Sequence, residues 1–165
     1  MTEPRRTSNR PPAARAGLAA PATKNASCAT TIPVRWGDVD FAGIAFYPRF
    51  FEWYDAGCEA LFASLGLAWP ESFPKYEIVG VPILESGSTF SSPVRYGDVL
   101  TIRSTVAWVK TTTFRMEHTI SVGDRLCATG FEVRAWVGRP ERPGAPLSTK
   151  PIPDEVVRKL KGGVA

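Results

Sequence analysis

The sequence predicts a single α+β domain. A segment of helical period follows the first β-like run, and β-like segments joined by short turns fill the rest. A length of 165 residues with 44% hydrophobic content suits one core and is short for two.

Residues 1–31 are rich in Pro, Ala, Arg and Ser and show no hydrophobic periodicity, so they are expected to be a disordered extension. The segment could serve as an Arg-rich organelle leader, but it lacks the continuous apolar stretch of a secretory signal. Residues 32–165 are expected to form the domain. "TTIPVRW" (30–36) reads as a strand ending at the turn pair Gly37-Asp38. From Pro48, Phe50, Tyr54, Gly57, Cys58, Leu61 and Leu65 recur at three- and four-residue spacing, which predicts an amphipathic helix of about 18 residues ending near Gly66. Ala56, Gly57 and Ala60 thin one side of it for close approach to a sheet. Residues 67–76 read as a proline-bearing connection. The β-like series begins at "EIVGVPILESGSTFSSPV", and 98–109, 112–122 and 125–138 form an antiparallel meander turning at Lys110-Thr111 and Gly123-Asp124. A short charged helix starts near Pro153. Trp108, Phe131 and Trp136 fall on both strand parities, so both sheet faces are expected to be partly buried, which implies an oligomer.

Composition narrows the function classes. The chain has a formal net charge of +4, but five of its 20 basic residues and one of its 16 acidic ones lie in residues 1–31. Residues 32–165 therefore balance at 15 of each, and nucleic-acid binding is not expected. No apolar run is long enough to span a membrane. Three widely spaced cysteines and one histidine suit neither a disulfide framework nor a zinc site, so no metal is expected and the cytoplasm is the expected setting.

"PVRWGDVD" (33–40) and "PVRYGDVL" (93–100) agree at six of eight positions. Gly-Asp serves the turn in both copies, which explains Asp38 and Asp98. Asp40 stands where the second copy has Leu100, and no turn requires it. Seven residues on, the helix begins without a short polar cap, because Ile44, Ala45, Phe46 and Tyr47 precede Pro48. The free N–H groups of Tyr47 and of Arg49 or Phe50 could receive an anion or a developing oxyanion. A carboxylate beside such donors can attack an ester-like carbonyl as nucleophile or activate water as general base. Phe41, Ile44 and Phe46 are expected to exclude bulk water there. G-x-S-x-G, H-E-x-x-H, Walker A and G-x-G-x-x-G motifs are absent. His118 lies on an apolar strand face and Cys58 on the helix stripe, both read as packing.

"GDVDFAGIAFYPRFFEWYDA" resembles the active-site segment of the 4-hydroxybenzoyl-CoA thioesterase family of hotdog-fold proteins, and the resemblance extends over about residues 32–137 through "IVGVPILESGSTFSSPVRYGDVLTI". It implies a hotdog fold, a long central helix wrapped by an antiparallel sheet, with dimers pairing edge to edge and often forming homotetramers. It also implies hydrolysis of an acyl-CoA thioester without a cofactor. By position in the motif, Asp40 matches the catalytic carboxylate, the Tyr47 N–H the oxyanion donor and Gly43 the glycine of the loop, while Asp55 matches a family aspartate. Some members use a helix carboxylate, for which Glu52 or Glu59 would stand in. Phe41 replaces a frequent proline, and the basic run of some members is missing from 108–115, leaving Lys110, then Arg115 and Arg139, for the CoA phosphates. Phe41, Phe46, Tyr47 and Trp53 suit an aryl or other compact acyl group. Short or branched aliphatic acyl-CoA, an acyl-carrier-protein thioester and non-catalytic acyl-CoA binding are the alternatives.

Overall fold

The computed structural model describes residues 25–140, 142 and 144–163. Strand β1 spans Ser27–Pro33. It therefore starts inside the segment expected to be disordered; the remainder of that expectation, residues 1–24, lies outside the described residues. A 3₁₀ turn at Trp36–Asp38 leads through a loop to helix α1, Pro48–Ser64. Helix α2 (Trp69–Lys75) and strands β2 (Ile78–Gly80), β3 (Ile83–Phe90), β4 (Val99–Val109), β5 (Thr113–Val122), β6 (Arg125–Ala135), β7 (Val137–Gly138) and β8 (Ser148–Thr149) follow, with helix α3 at Asp154–Leu160.

The main sheet has the antiparallel order β1-β4-β5-β6-β3, with the expected meander at its centre. Strand β1 closes one edge against β4, and β3 forms the other against β6. A second sheet, β2-β7-β8, was not foreseen, because strands of two or three residues carry no readable period. The proline-bearing connection at 67–76 contains α2. Pro70 sits in its first turn, where a missing N–H breaks no intrahelical bond.

Helix α1 lies across the sheet's inner face and buries Phe50, Trp53, Tyr54, Gly57, Cys58, Leu61 and Phe62. Gly57 is the point of closest approach: a Cβ there would lie 2.4 Å from Ser104 Oγ and 3.0 Å from Ile102 Cγ2. From the sheet, Leu100, Ile102, Val106, Phe114, Met116 and Ile120 meet this stripe. The C-terminal helix seals one end with Val156 and Leu160.

Of the three aromatic residues behind the expectation that both sheet faces are partly buried, Trp108 and Phe131 are half-buried on the outer face and Trp136 is in the core. Between Val106 and Trp108 a bulge inserts one residue and reverses the parity that Trp108 would have shown. Trp136, 1% exposed, lies past the end of β6 in the core that includes Val156 and Leu160. Trp108, now opposite Arg115, and Phe131 both face outward, Phe131 under the Arg115 guanidinium at 3.9 Å from its ring centroid, among exposed Arg103, Glu117, Thr119 and Thr129.

Candidate active site

The two copies of the repeated octapeptide form the same turn. Asp38 Oδ2 accepts the Arg35 N–H at 2.7 Å, and Asp98 Oδ2 accepts the Arg95 N–H at 2.8 Å. Val34 N–H donates to Asp98 O at 2.8 Å and Gly97 N–H to Val34 O at 3.2 Å, which stitches the turns side by side. Asp38 is paired to Arg49 and Asp98 to Arg125, each at 3.5 Å. Leu100, buried in β4, occupies the position that Asp40 holds in the first copy.

Asp40 instead begins a closed loop. Its N–H donates to Ile44 O at 2.9 Å, its C=O accepts from Gly43 N–H at 2.9 Å, and its Oδ1 accepts from Ala42 N–H at 2.8 Å. Gly43 takes φ +71°, the left-handed region that a side chain disfavours. Ala45 N–H donates to Val94 O and Phe46 N–H to Asp38 O, both at 2.8 Å, so the loop is pinned to both turns. Among the described residues Asp40 Oδ2 accepts no hydrogen bond.

The loop delivers the chain into α1 with Tyr47 as an N-cap that makes no side-chain cap. Arg49 N–H donates to Phe46 O at 2.9 Å and Phe50 N–H to Tyr47 O at 3.2 Å. The Tyr47 N–H has no acceptor among the described residues, so of the amides anticipated from the sequence it alone is available. Asp40 and Tyr47 line one cavity of about 450 Å³, whose walls include Ile44, Phe50, Phe90 and Val94. Phe90, Ser91, Ser92 and Pro93 form the side that the sequence did not flag. The equivalence of Pro93-Val94 to Pro33-Val34 in the repeat was the signal that could have found it.

The other sequence-derived candidates are dispersed. Phe41 is fully exposed and lines a second cavity, of about 580 Å³, which also touches Asp40. Phe46 is half-exposed, its ring edge-on to Tyr47 at 5.3 Å, so neither phenylalanine shields the carboxylate from water within one chain. Trp53 is 5% exposed and belongs to the core, because it faces the sheet from the second turn of α1. Asp55 is ion-paired to Arg134. Lys110 lies at the far end of β4, about 35 Å away along the strand at about 3.3 Å per residue, with its ammonium over the Trp108 ring. Arg115 is on the outer sheet face, and Arg139 lines a separate cleft of about 830 Å³ with Glu59 and Trp69. Glu52 is held by Arg49 at 2.7 and 2.9 Å.

A buried polar chain under α1 was not anticipated as a unit. Ser104 Oγ lies 2.8 Å from His118 Nδ1, His118 Nε2 lies 3.4 Å from Glu132 Oε2, and Arg134 donates to Glu132 at 2.8 and 3.0 Å before reaching Asp55. Ser-His-Glu suggests a nucleophile triad, but all three are at most 1% exposed and α1 packs onto Ser104 through Gly57, so no acyl group reaches it. Burial pushes the Cys58 thiol up to about 12, which keeps it protonated and unreactive. Among the described residues no three His, Cys, Asp or Glu side chains gather to hold a metal ion, and no helix is long and apolar enough to cross a membrane.

Residues 34–160 match the family described as the thioesterase-like superfamily. The chain is 33% identical over 89 residues to 4-hydroxybenzoyl-CoA thioesterase of Pseudomonas sp. (strain CBS-3); that alignment spans 53% of this chain and 63% of the relative. The solved structure of that enzyme superposes with a TM-score of 0.74 at 26% identity, covering 81% of this chain and 99% of the other. A 1,4-dihydroxy-2-naphthoyl-CoA hydrolase of Synechococcus sp. (strain RCC307) is 27% identical over 134 residues, 79% of this chain and 98% of its own. A gentisyl-coenzyme A thioesterase structure matches with a TM-score of 0.69 at 30% identity, over 81% of this chain and 98% of its own. The expected hotdog architecture is the one these structures share.

Proposed function

The chain belongs to the thioesterase-like superfamily and is a thioester hydrolase, and on that premise we propose that it converts an aryl-CoA, or another compact acyl-CoA, to the free acid and CoA. One observation carries the reading: Asp40 and Tyr47, which line the same largely apolar cavity, each keep a group, a carboxylate oxygen and a backbone N–H, without a partner among the described residues. Three relatives named for hydroxyaryl-CoA esters favour the aryl acyl group. Phe50 and Phe90, edge-to-face at 4.8 Å, supply ring edges for it to pack on.

In this reading the thioester carbonyl oxygen accepts the Tyr47 N–H, reinforced by the positive end of α1, and its growing charge is stabilised there. Gly43 holds the loop that sets the Asp40 carboxylate beside the carbonyl. Asp40 Oδ2 then acts by one of two balanced routes. It attacks the carbonyl carbon, expels CoA thiolate and leaves an anhydride that water cleaves; or it takes a proton from water, whose oxygen attacks as CoA departs. Rapid-quench mass spectrometry separates them, because only the first puts the acyl mass on the peptide bearing Asp40. The protein is assigned to the cytoplasm, as a homodimer or homotetramer.

The test is thiol release from benzoyl-, 4-hydroxybenzoyl- and phenylacetyl-CoA and from C4–C12 acyl-CoAs, with wild type and Asp40→Asn. We expect aryl esters to be preferred and kcat to fall about 10²–10⁴-fold in the variant without loss of fold. A folded variant at full rate removes Asp40 from this role, and a clear aliphatic preference replaces the aryl assignment.

A further inference from the structure

The repeated octapeptide has a consequence beyond turn formation. Its fourth position is Trp36 in one copy and Tyr96 in the other, and the side-by-side turns bring the two rings together edge-to-face at 5.6 Å. Both stay open to solvent, at 75% and 61% exposure, where large aromatic side chains are ordinarily covered. Arg95 stands beside them, its Nη1 donating to Gly43 O at 3.5 Å, and Arg35 is exposed in the equivalent place. Asp38 and Asp98, the nearest acids on these turns, are engaged by Arg49 and Arg125. Neither Arg35 nor Arg95 has a carboxylate partner among the described residues. Trp36, Tyr96, Arg95 and Phe41 line the 580 Å³ cavity, and Asp40 borders both this and the acyl cavity.

We propose that this aromatic and basic cleft receives the CoA half of the substrate. The inference rests on the thioesterase reading above. A thioester whose carbonyl is at Asp40 and whose acyl group fills the apolar cavity must lead its thiol arm out on the other side of the carboxylate. The second cavity that Asp40 borders is the route we assign to it. Its chemistry suits that arm: ring faces for the adenine or the pantetheine chain, and the unneutralised Arg95 guanidinium for the phosphates. The repeat thus gives the site two unlike neighbours, an acid that faces the reaction and a pair of turns that hold the leaving group.

The experiment compares benzoyl-CoA with S-benzoyl-N-acetylcysteamine, which has the same acyl group and lacks the nucleotide, in wild type, Trp36→Ala, Tyr96→Ala and Arg95→Gln. Calorimetric binding of free CoA and sedimentation velocity accompany the kinetics. We expect the kcat/KM advantage of benzoyl-CoA over the truncated ester to fall about tenfold in each variant, mainly through KM, and CoA binding to weaken by the same factor. Equal loss on both esters, unchanged kinetics, or a change of oligomeric state with equal loss on both would overturn the proposal; the last would make the cleft a contact between copies of the chain. Wild type that hydrolyses nothing but binds CoA, with that binding lost in Arg95→Gln and Trp36→Ala, would sink the thioesterase reading and leave the CoA cleft standing. Wild type that binds no CoA would remove the cleft.

Discussion

Asp40 and Leu100 occupy one position in two copies of a shared turn, so their environments separate chemistry from architecture at the scale of a single residue. Leu100 is fully buried, whereas Asp40 is exposed and its carboxylate accepts, among the described residues, only the local bond from Ala42. Asp98→Ala removes the acceptor for Arg95 N–H and an ion pair, and is expected to lower stability by about 1 kcal/mol in urea unfolding. Asp40→Asn keeps an acceptor for Ala42 N–H and is expected to shift stability by about 0.5 kcal/mol or less. Cys58 offers a pH test. Its thiol is raised by burial to about 12, so the folded protein keeps a proton that the unfolded chain releases near its ordinary value. The stabilisation from this group is complete below about pH 9 and is lost as pH rises toward 12. Urea unfolding at pH 8 and pH 10.5 is expected to show a smaller alkaline loss in Cys58→Ala than in wild type.

At the scale of the element, α1 is fixed to the sheet by one close approach and one buried chain of charge. Gly57→Ala forces a methyl to within 2.4 Å of Ser104 Oγ and is expected to cost about 1–3 kcal/mol. Combining it with Ser104→Ala removes that atom but leaves Ile102 at 3.0 Å, so the double variant is expected to lose less than the sum of the singles. Arg134→Met leaves Glu132, which is 0% exposed, without its cation and is expected to cost about 3–5 kcal/mol. Asp55→Asn, at the half-exposed end of the same chain, is expected to cost about 1 kcal/mol or less. Chemical denaturation of these five variants, Ser104→Ala alone included, checks this order, and an equal loss for Arg134→Met and Asp55→Asn would show that burial does not set the energies.

At the scale of the molecule, strand β3 is the edge left open beside the acyl cavity. Ile83, Leu84 and Phe90 on it are 44%, 62% and 50% exposed, and Phe90 lines that cavity. An unpaired edge with apolar side chains pairs readily with another strand. We expect wild type to sediment as a dimer or tetramer and Leu84→Lys to weaken that assembly. A second copy along β3 would also supply the shielding of Asp40 that Phe41 and Phe46 do not give within one chain. A wild-type monomer with full activity would end this argument.

The sequence by itself determined the helix over Pro48–Ser64, the central meander and the isolation of Asp40, because period, turn chemistry and the comparison of two near-identical octapeptides are all local signals. It also predicted an uncapped helix start, since capping depends on the few residues before Pro48. Only the tertiary structure decided which amide stays free, because the Arg49 and Phe50 N–H groups are used by carbonyls whose positions follow from the loop's path. It likewise placed Trp53 in the core, by helix phase against the sheet, and Lys110 at the far end of β4 from Asp40 of the same chain, by the length of that strand. The wall from Phe90 to Val94 lies about fifty residues from Asp40 in the chain, and the Val94 carbonyl reaches the loop through one long-range bond to Ala45. Periodicity reports which side of an element is buried; what it is buried against depends on contacts distant in sequence, and these form only when the sheet closes over α1.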